Sequence, residues 1–223
     1  SPVLLFSGGE PLMRSDIFEL IAEAREKGMR AVLSTNGTLI DAETAAKLKA
    51  FDLSYVGISL DGLQPTHDKF RGVPGAFEAA LQGLRNCRKA GIKVGLRFTI
   101  NKRNAQDIPG IFGLLEEEDI PRVCFYHLVY VGRGSKLIKE DLTHEETRRT
   151  VDTLIDLTKR MHDNGKPAEV LTVDNHADGV YLYRRLLRED PRKAENVLEL
   201  LKMNGGNSSG HGIGCISWDG KVH

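Results

Sequence analysis

Cysteine is scarce in this chain of 223 residues: Cys87, Cys124 and Cys215 are odd in number and far apart. That usage fits a reducing compartment better than a disulfide framework and predicts a cytoplasmic setting. None of the three stands in a CxxC or CxxxCxxC spacing, so the chain as written carries no cysteine nest for a metal or iron-sulfur cluster. No apolar run approaches the ~20 residues a bilayer-spanning helix needs, and no secretory leader is visible. Excess charge is also absent, with 31 basic against 31 acidic residues. No general field therefore draws in nucleic acid or an anionic membrane, and partners must be recognised locally.

What the chain does have is a regular alternation of short, β-rich apolar runs with helical patterns. Strands are predicted at Val3 to Phe6, Arg30 to Ser34, Tyr55 to Leu60, Val94 to Ile100, Val123 to Val129 and Val170 to Val173. Helices are predicted at Ser15 to Lys27, Asp41 to Ala50, Ala76 to Ala90, Asp107 to Glu117, His144 to Asn164 and Ala194 to Met203, with Gly28, Gly91 and Gly165 as stop signals. Several strands are apolar on both faces, as buried parallel strands are. The expected fold is α/β, a barrel or partial barrel of βα units filling one main domain at residues 1–203. Residues 204–214, five of them glycine from Asn204 to Gly214, read as a linker, and 215–223, with Asp219-Gly220 as a hairpin turn, read as the start of a second module. A strand beginning at residue 3 reads as cut rather than begun.

In such architectures the chemistry lies at the C-terminal strand ends. Behind the first strand stands Ser7-Gly8-Gly9-Glu10-Pro11, where bare backbone and one carboxylate suit an ammonium group better than a phosphate, although a tight turn would read the same way. Ser34 to Gly37 end the second strand, and serve equally as a helix-leading turn or as ribose contacts. Ser59 and Asp61 stand two apart and should project to one point, unless Asp61-Gly62 is simply a turn. Arg71 follows in a polar loop, free for a carboxylate or for a surface pair with Asp68. Arg97 lies inside an apolar strand and needs a carboxylate from protein or ligand. Of Tyr126 and His127, one must face inward, and His127 beside Arg133 could meet an anionic substrate or donate a proton.

The ordered set Gly-Gly-Glu-Pro, Ser-Thr-Asn-Gly, Ile-Ser-Leu-Asp-Gly with His-Asp-x-x-Arg-Gly, and Gly-Arg-Gly resembles the radical S-adenosylmethionine (SAM) superfamily over nearly the whole chain. The hairpin Trp218 to Val222 resembles the entry to its auxiliary-cluster (SPASM or twitch) extension. Thr172 to Asp178 and Asn207 to Ser217 resemble the haem-biosynthesis branch, the iron-coproporphyrin and haem d1 enzymes. The resemblance implies a partial (β/α)6 TIM-like barrel lacking its first strand. Gly8, Gly9 and Glu10 would hold the amino group of SAM, and Ser59 and Arg71 its carboxylate. Ser34, Asn36, Asp61 and Arg97 would surround ribose, methionyl chain or substrate, and backbone near Val129 to Val131 would receive adenine. Arg97, Asp61 and His127 are the implied catalytic candidates. A 4Fe-4S cluster, its ligands outside this chain, would cleave SAM to a 5'-deoxyadenosyl radical that takes hydrogen from a tetrapyrrole propionate. An electron donor such as ferredoxin or flavodoxin and an auxiliary 4Fe-4S cluster are further implications. On this reading the 223-residue chain alone neither holds the cluster nor cleaves SAM. A SPASM peptide maturase, a non-catalytic metabolite-binding barrel and a cluster-free aldolase using Lys102 are the competing readings.

Overall fold

The computed structural model describes residues 1–206, 212–217 and 219–223. Part of the expected linker, Trp218 of the expected hairpin and the side chain of Arg133 lie outside the described residues. The described chain forms two compact units, Ser1–Asp174 and Asn175–His223.

The first unit is a six-stranded parallel sheet in the order β1-β2-β3-β4-β5-β6, which is also the order of the chain. The strands are β1 (Val3–Phe6), β2 (Arg30–Thr35), β3 (Tyr55–Ser59), β4 (Val94–Thr99), β5 (Arg122–Tyr126) and β6 (Glu169–Val173). Between them run α1 (Ile17–Glu26), α2 (Ala42–Ala50), α3 (Gln64–Arg71), α4 (Ala76–Lys89), α5 (Ile108–Glu117) and α6 (His144–Asp163). Each strand thus returns through at least one helix to pair beside its predecessor, the connection that parallel pairing requires. This is the βα arrangement of a partial TIM-like barrel.

Burial follows the period of two along the strands. Ala31, Leu33, Val56, Ile58, Leu96, Phe98, Val123 and Phe125 turn to one side and form a single core with Ile21, Leu48, Leu84, Ile111 and Leu115 from the helices. Phe125 is the hinge of that core, 5.5 Å from the ring of Phe98 and stacked at 5.9 Å on Phe112. The alternate residues, Ser34, Tyr55, Gly57, Ser59, Gly95, Arg97, Thr99, Arg122, Cys124 and Tyr126, turn to the other, concave face.

Two sequence expectations need correction. The stretch around His67 and Arg71 is helix α3, not a polar loop. It lacks an apolar period, but Pro65 stands in its first turn and Gly72 closes it at φ 69° in the left-handed region. Strand β5 stops at Tyr126 instead of Val129, because its register partners Thr99 and Val173 are the last residues of the flanking strands. Beyond them a strand has nothing to pair with.

In the second unit α7 (Ala177–Glu189) packs on α8 (Pro191–Asn204) with Gly179 under Leu201. Asn175 starts α7, its amide accepting from the Ala177 N–H and donating to Asp178. A short antiparallel bridge joins Ile216 to Val222 around Gly220 at φ 82°. No helix is long and apolar enough to cross a membrane, among the described residues.

Candidate functional site

The strand ends converge on one carboxylate. Glu10 leads the 3-10 turn Pro11–Met13 as its N-cap, and its Oε1 accepts from the Leu12 N–H at 3.2 Å. The same oxygen accepts from the Thr35 hydroxyl at 2.6 Å, and Oε2 accepts from the Asn36 N–H at 2.7 Å. One side chain therefore ties the end of β1 to the end of β2. A carboxylate offers about four lone-pair directions, so Oε2 with a single donor retains acceptor capacity for an ammonium group. Gly8, at φ 127°, and Gly9 border open space: a Cβ on either would meet nothing within 4 Å.

At the end of β2, alternation sends Ser34 to the concave face and Thr35 to the helix side, where it is buried. Thr35 belongs to the Ser34 to Gly37 run picked out from the sequence, but its tie to Glu10 was not foreseen. Its hydroxyl donates to Glu10 and accepts from the Gly37 N–H at 3.0 Å, so it carries the carboxylate's position into the loop. The Asn36 side chain is occupied in its own turn, Oδ1 accepting from the Thr38 N–H and hydroxyl at 2.9 and 2.8 Å. What Asn36 turns toward Glu10 is its backbone.

Asp61 departs from the expected shared projection with Ser59. Strand β3 ends at Ser59, and Asp61 is buried against α3, with Arg71 Nε 2.6 Å from its Oδ2. That contact is an ion pair without hydrogen-bond alignment, and Asp61 Oδ2 has no hydrogen-bond donor. Asp68, the alternative partner considered for Arg71, instead accepts from the Gly75 and Phe77 N–H groups at 2.7 and 2.8 Å and so starts α4. Those two backbone donors hold its carboxyl below the usual carboxylate range.

The Asp61 loop is held on three sides. His67, 2 % exposed, accepts the Asp61 N–H on Nδ1 at 2.9 Å. Asn104, fully buried, donates to the Asp61 carbonyl at 3.0 Å and the Thr99 carbonyl at 2.9 Å, and accepts from the Asn101 N–H. Asp107 accepts the Leu63 N–H at 2.9 Å. Burial pushes the His67 imidazole below its ordinary value, with Asp61 opposing, so the ring is a neutral acceptor here. The sequence signal for Asn104 was available: a polar Asn-x-x-Asn immediately behind an apolar strand.

On the concave face Arg97 lies over the Tyr126 ring, 4.6 Å from its centroid. Of the two expected sources of a carboxylate, protein or ligand, the protein supplies none to it among the described residues. Toward the other end of the strands Arg122 lies over Tyr55 and pairs with Glu169 at 2.6 Å. Burial raises both tyrosines to about 12, so both are neutral phenols, and it raises Cys124 as well, which keeps that thiol protonated. Tyr126 is thus the inward member of its pair; His127, half-buried past the strand, gives its N–H to the Val173 carbonyl at 3.0 Å. Val129 is exposed in the irregular segment that follows.

The three cysteines are dispersed, Cys87 in the helix-side core, Cys124 on the concave face and Cys215 in the second unit. Among the described residues no three His, Cys, Asp or Glu side chains could share a metal ion. The residues present thus suit the amino-acid end of a zwitterion and do not suit a cluster.

Residues 1–115 match the radical SAM superfamily. Over all 223 residues the chain is 69 % identical to Fe-coproporphyrin III synthase of Methanosarcina barkeri, of which it covers 56 %. It is 42 % identical to pre-heme d1 synthase of Dinoroseobacter shibae, covering 55 % of it. The chain thus spans about half the length of these curated relatives. Among solved structures, anSMEcpe with bound AdoMet and Kp18Cys peptide aligns at a TM-score of 0.64 with 22 % identity, over 75 % of this chain and 49 % of that one. Streptococcus suis SuiB bound to S-adenosylmethionine aligns at 0.65 with 20 % identity, over 80 % and 40 %. These two likenesses show the fold.

Proposed function

Because the chain belongs to the radical SAM superfamily, we propose that it forms the SAM-binding core of an enzyme of tetrapyrrole biosynthesis. The reaction alters or removes a carboxylate-bearing side chain of an iron tetrapyrrole. The observation that carries this reading is the 69 % identity to a Fe-coproporphyrin III synthase from the first residue to the last.

With a 4Fe-4S cluster held from outside this chain, bound SAM would supply the hydrogen-abstracting radical. The chain's own residues bind and orient. Gly8 and Gly9 leave room for the methionyl end, and Glu10 accepts its ammonium on Oε2. Ser34 and Ser59 offer hydroxyls from the concave face, and Arg71 remains within reach of a carboxylate while it steadies Asp61. Backbone near Val129 receives the adenine, and His127 stands by as proton donor. The cluster's ligands lie outside this chain, in keeping with its dispersed cysteines. Residues 1–203 act as core and 215–223 open an auxiliary-cluster module. The electron donor is a ferredoxin or flavodoxin, and the setting is cytoplasmic.

The test is anaerobic reconstitution of the full-length protein with iron and sulfide, followed by SAM, reductant and an iron tetrapyrrole. Release of 5'-deoxyadenosine together with a side-chain mass loss in the tetrapyrrole is expected. Cleavage of SAM with every tetrapyrrole tried left unaltered would refute the substrate assignment.

A further inference from the structure

Two arginines enter the concave face from neighbouring strands, and the fold treats them oppositely. Arg122 is neutralised: its Nε lies 2.6 Å from Glu169 Oε2 across the β5–β6 ladder, and its guanidinium covers the Tyr55 ring at 5.3 Å. Arg97 has the same aromatic support, 4.6 Å above Tyr126, and no carboxylate within salt-bridge distance among the described residues. A guanidinium withdrawn from bulk water without an anion is unfavourable, and stacking on a ring offsets only part of the loss. The neighbouring Cys124 is a protonated thiol and Tyr126 a neutral phenol, so neither supplies the missing charge.

The backbone makes room for this arrangement. Gly57 faces the Arg97 stem so closely that a Cβ would fall 2.8 Å from Cδ, and this glycine has no left-handed conformation to explain it. The stem therefore lies along the sheet over the bare backbone of Gly57, and the guanidinium at its end covers the Tyr126 ring.

We propose that Arg97, supported by Tyr126 and by the bare backbone of Gly57, is a carboxylate anchor inside the concave face. Arg binds carboxylates through two parallel N–H donors, and the tyrosine fixes the plane of the fork. Two ligands of the proposed reaction carry that group, the methionyl end of SAM and the acidic side chains of the tetrapyrrole. Naming them rests on the function proposed above.

The experiment uses the reconstituted full-length protein and measures two affinities. One is for SAM, by equilibrium dialysis. The other is for iron coproporphyrin, by its Soret shift, alongside the same porphyrin as its tetramethyl ester. Arg97→Met is expected to weaken one carboxylate ligand by about tenfold to a hundredfold, the loss of a charge-assisted contact. Arg97→Lys should retain part of the affinity. If SAM alone weakens, the anchor takes the methionyl carboxylate. If the porphyrin alone weakens, and its ester binds wild type no better than the acid binds the Met variant, the anchor takes a substrate carboxylate. Unchanged affinity for both ligands, within twofold, would overturn the proposal. Gly57→Ala keeps the charge and dislodges the stem; it should weaken the same ligand, and it stands in where the Met variant does not fold. A wild-type protein that binds SAM but no porphyrin sinks the tetrapyrrole reading and leaves the SAM arm to decide the anchor.

Discussion

Replacing Gly83 with alanine should destabilise the protein although it improves a helix. Gly83 lies in the middle of α4, where alanine is favoured over glycine by ~1 kcal/mol. Its missing side chain faces the β2–α2 loop. A methyl there would overlap the Gly37 carbonyl oxygen, and it would lie 3.0 Å from the Gly37 carbonyl carbon and 3.3 Å from Ile40 Cβ. Carbon atoms prefer roughly 3.5–4.0 Å and the overlapped oxygen needs nearly as much, so helix and loop must part by about 1 Å or more. Overpacking of this kind costs ~1–3 kcal/mol, and contact with backbone rather than a flexible side chain favours the upper half of that range. The net expectation is a loss of ~1–2 kcal/mol, lowering Tm by about 2–8 °C in a chain of this size. Gly113 in α5 is the internal control, since a Cβ there meets nothing within 4 Å. Gly113→Ala should raise Tm slightly. The assay is thermal unfolding followed by circular dichroism, with SAM affinity of the full-length protein as a second readout. The displaced loop carries Asn36 and follows directly on Thr35, the last residue of β2, so only Gly83→Ala should weaken SAM. If both variants raise Tm alike, the close packing of α4 on the loop is wrong.

Other outcomes follow from the same contacts. Thr35→Val removes a donor from Glu10 and orphans the Gly37 N–H; urea unfolding should show a loss of ~2 kcal/mol, and Thr35→Ser should restore most of it. Asn104→Ala leaves the Asp61 carbonyl and the Asn101 N–H without their partner and takes one of two donors from the Thr99 carbonyl, and a loss of ~2–4 kcal/mol by the same method is expected. An equally stable variant would show that those bonds are replaceable. The folded pKa of His67 lies below its unfolded value of ~6.5, so the unfolded chain binds the extra proton. Its contribution is complete above pH ~6.5 and stability falls as pH drops below it. Replacing His67 with asparagine, whose amide oxygen can accept the Asp61 N–H, should flatten the fall of Tm between pH 7 and 5; an unchanged slope would exclude His67 as its source.

Much of the scaffold was legible because parallel strands under helices leave short, β-rich apolar runs; all six were expected, several of them from runs apolar on both faces. Helix α3 escaped because Gln64 to Arg71 contains almost no apolar residue, although Pro65 and Gly72 bracket it correctly. Glu10 was identifiable as a carboxylate behind a strand end, and Arg97 as a charge inside an apolar strand. Their surroundings were not: the Thr35 hydroxyl is 25 residues from Glu10, and Asn104 is 43 from the carbonyl it holds. Hydrogen bonds over such separations leave no periodic trace. Asp61 was misread for a related reason, since alternation fixes direction only while the strand lasts, and β3 ends two residues earlier.

The glycine beneath Arg97 has a mechanical consequence. A side chain lying along the sheet reaches the cavity by torsion about its own bonds, and no ladder hydrogen bond has to open. A shift of the charge toward an anion therefore leaves the strands themselves undisturbed. A methyl at Gly57 would press on that stem, 2.8 Å from Cδ, and shift the resting place of the charge, so the bare backbone of β3 decides where the arginine waits.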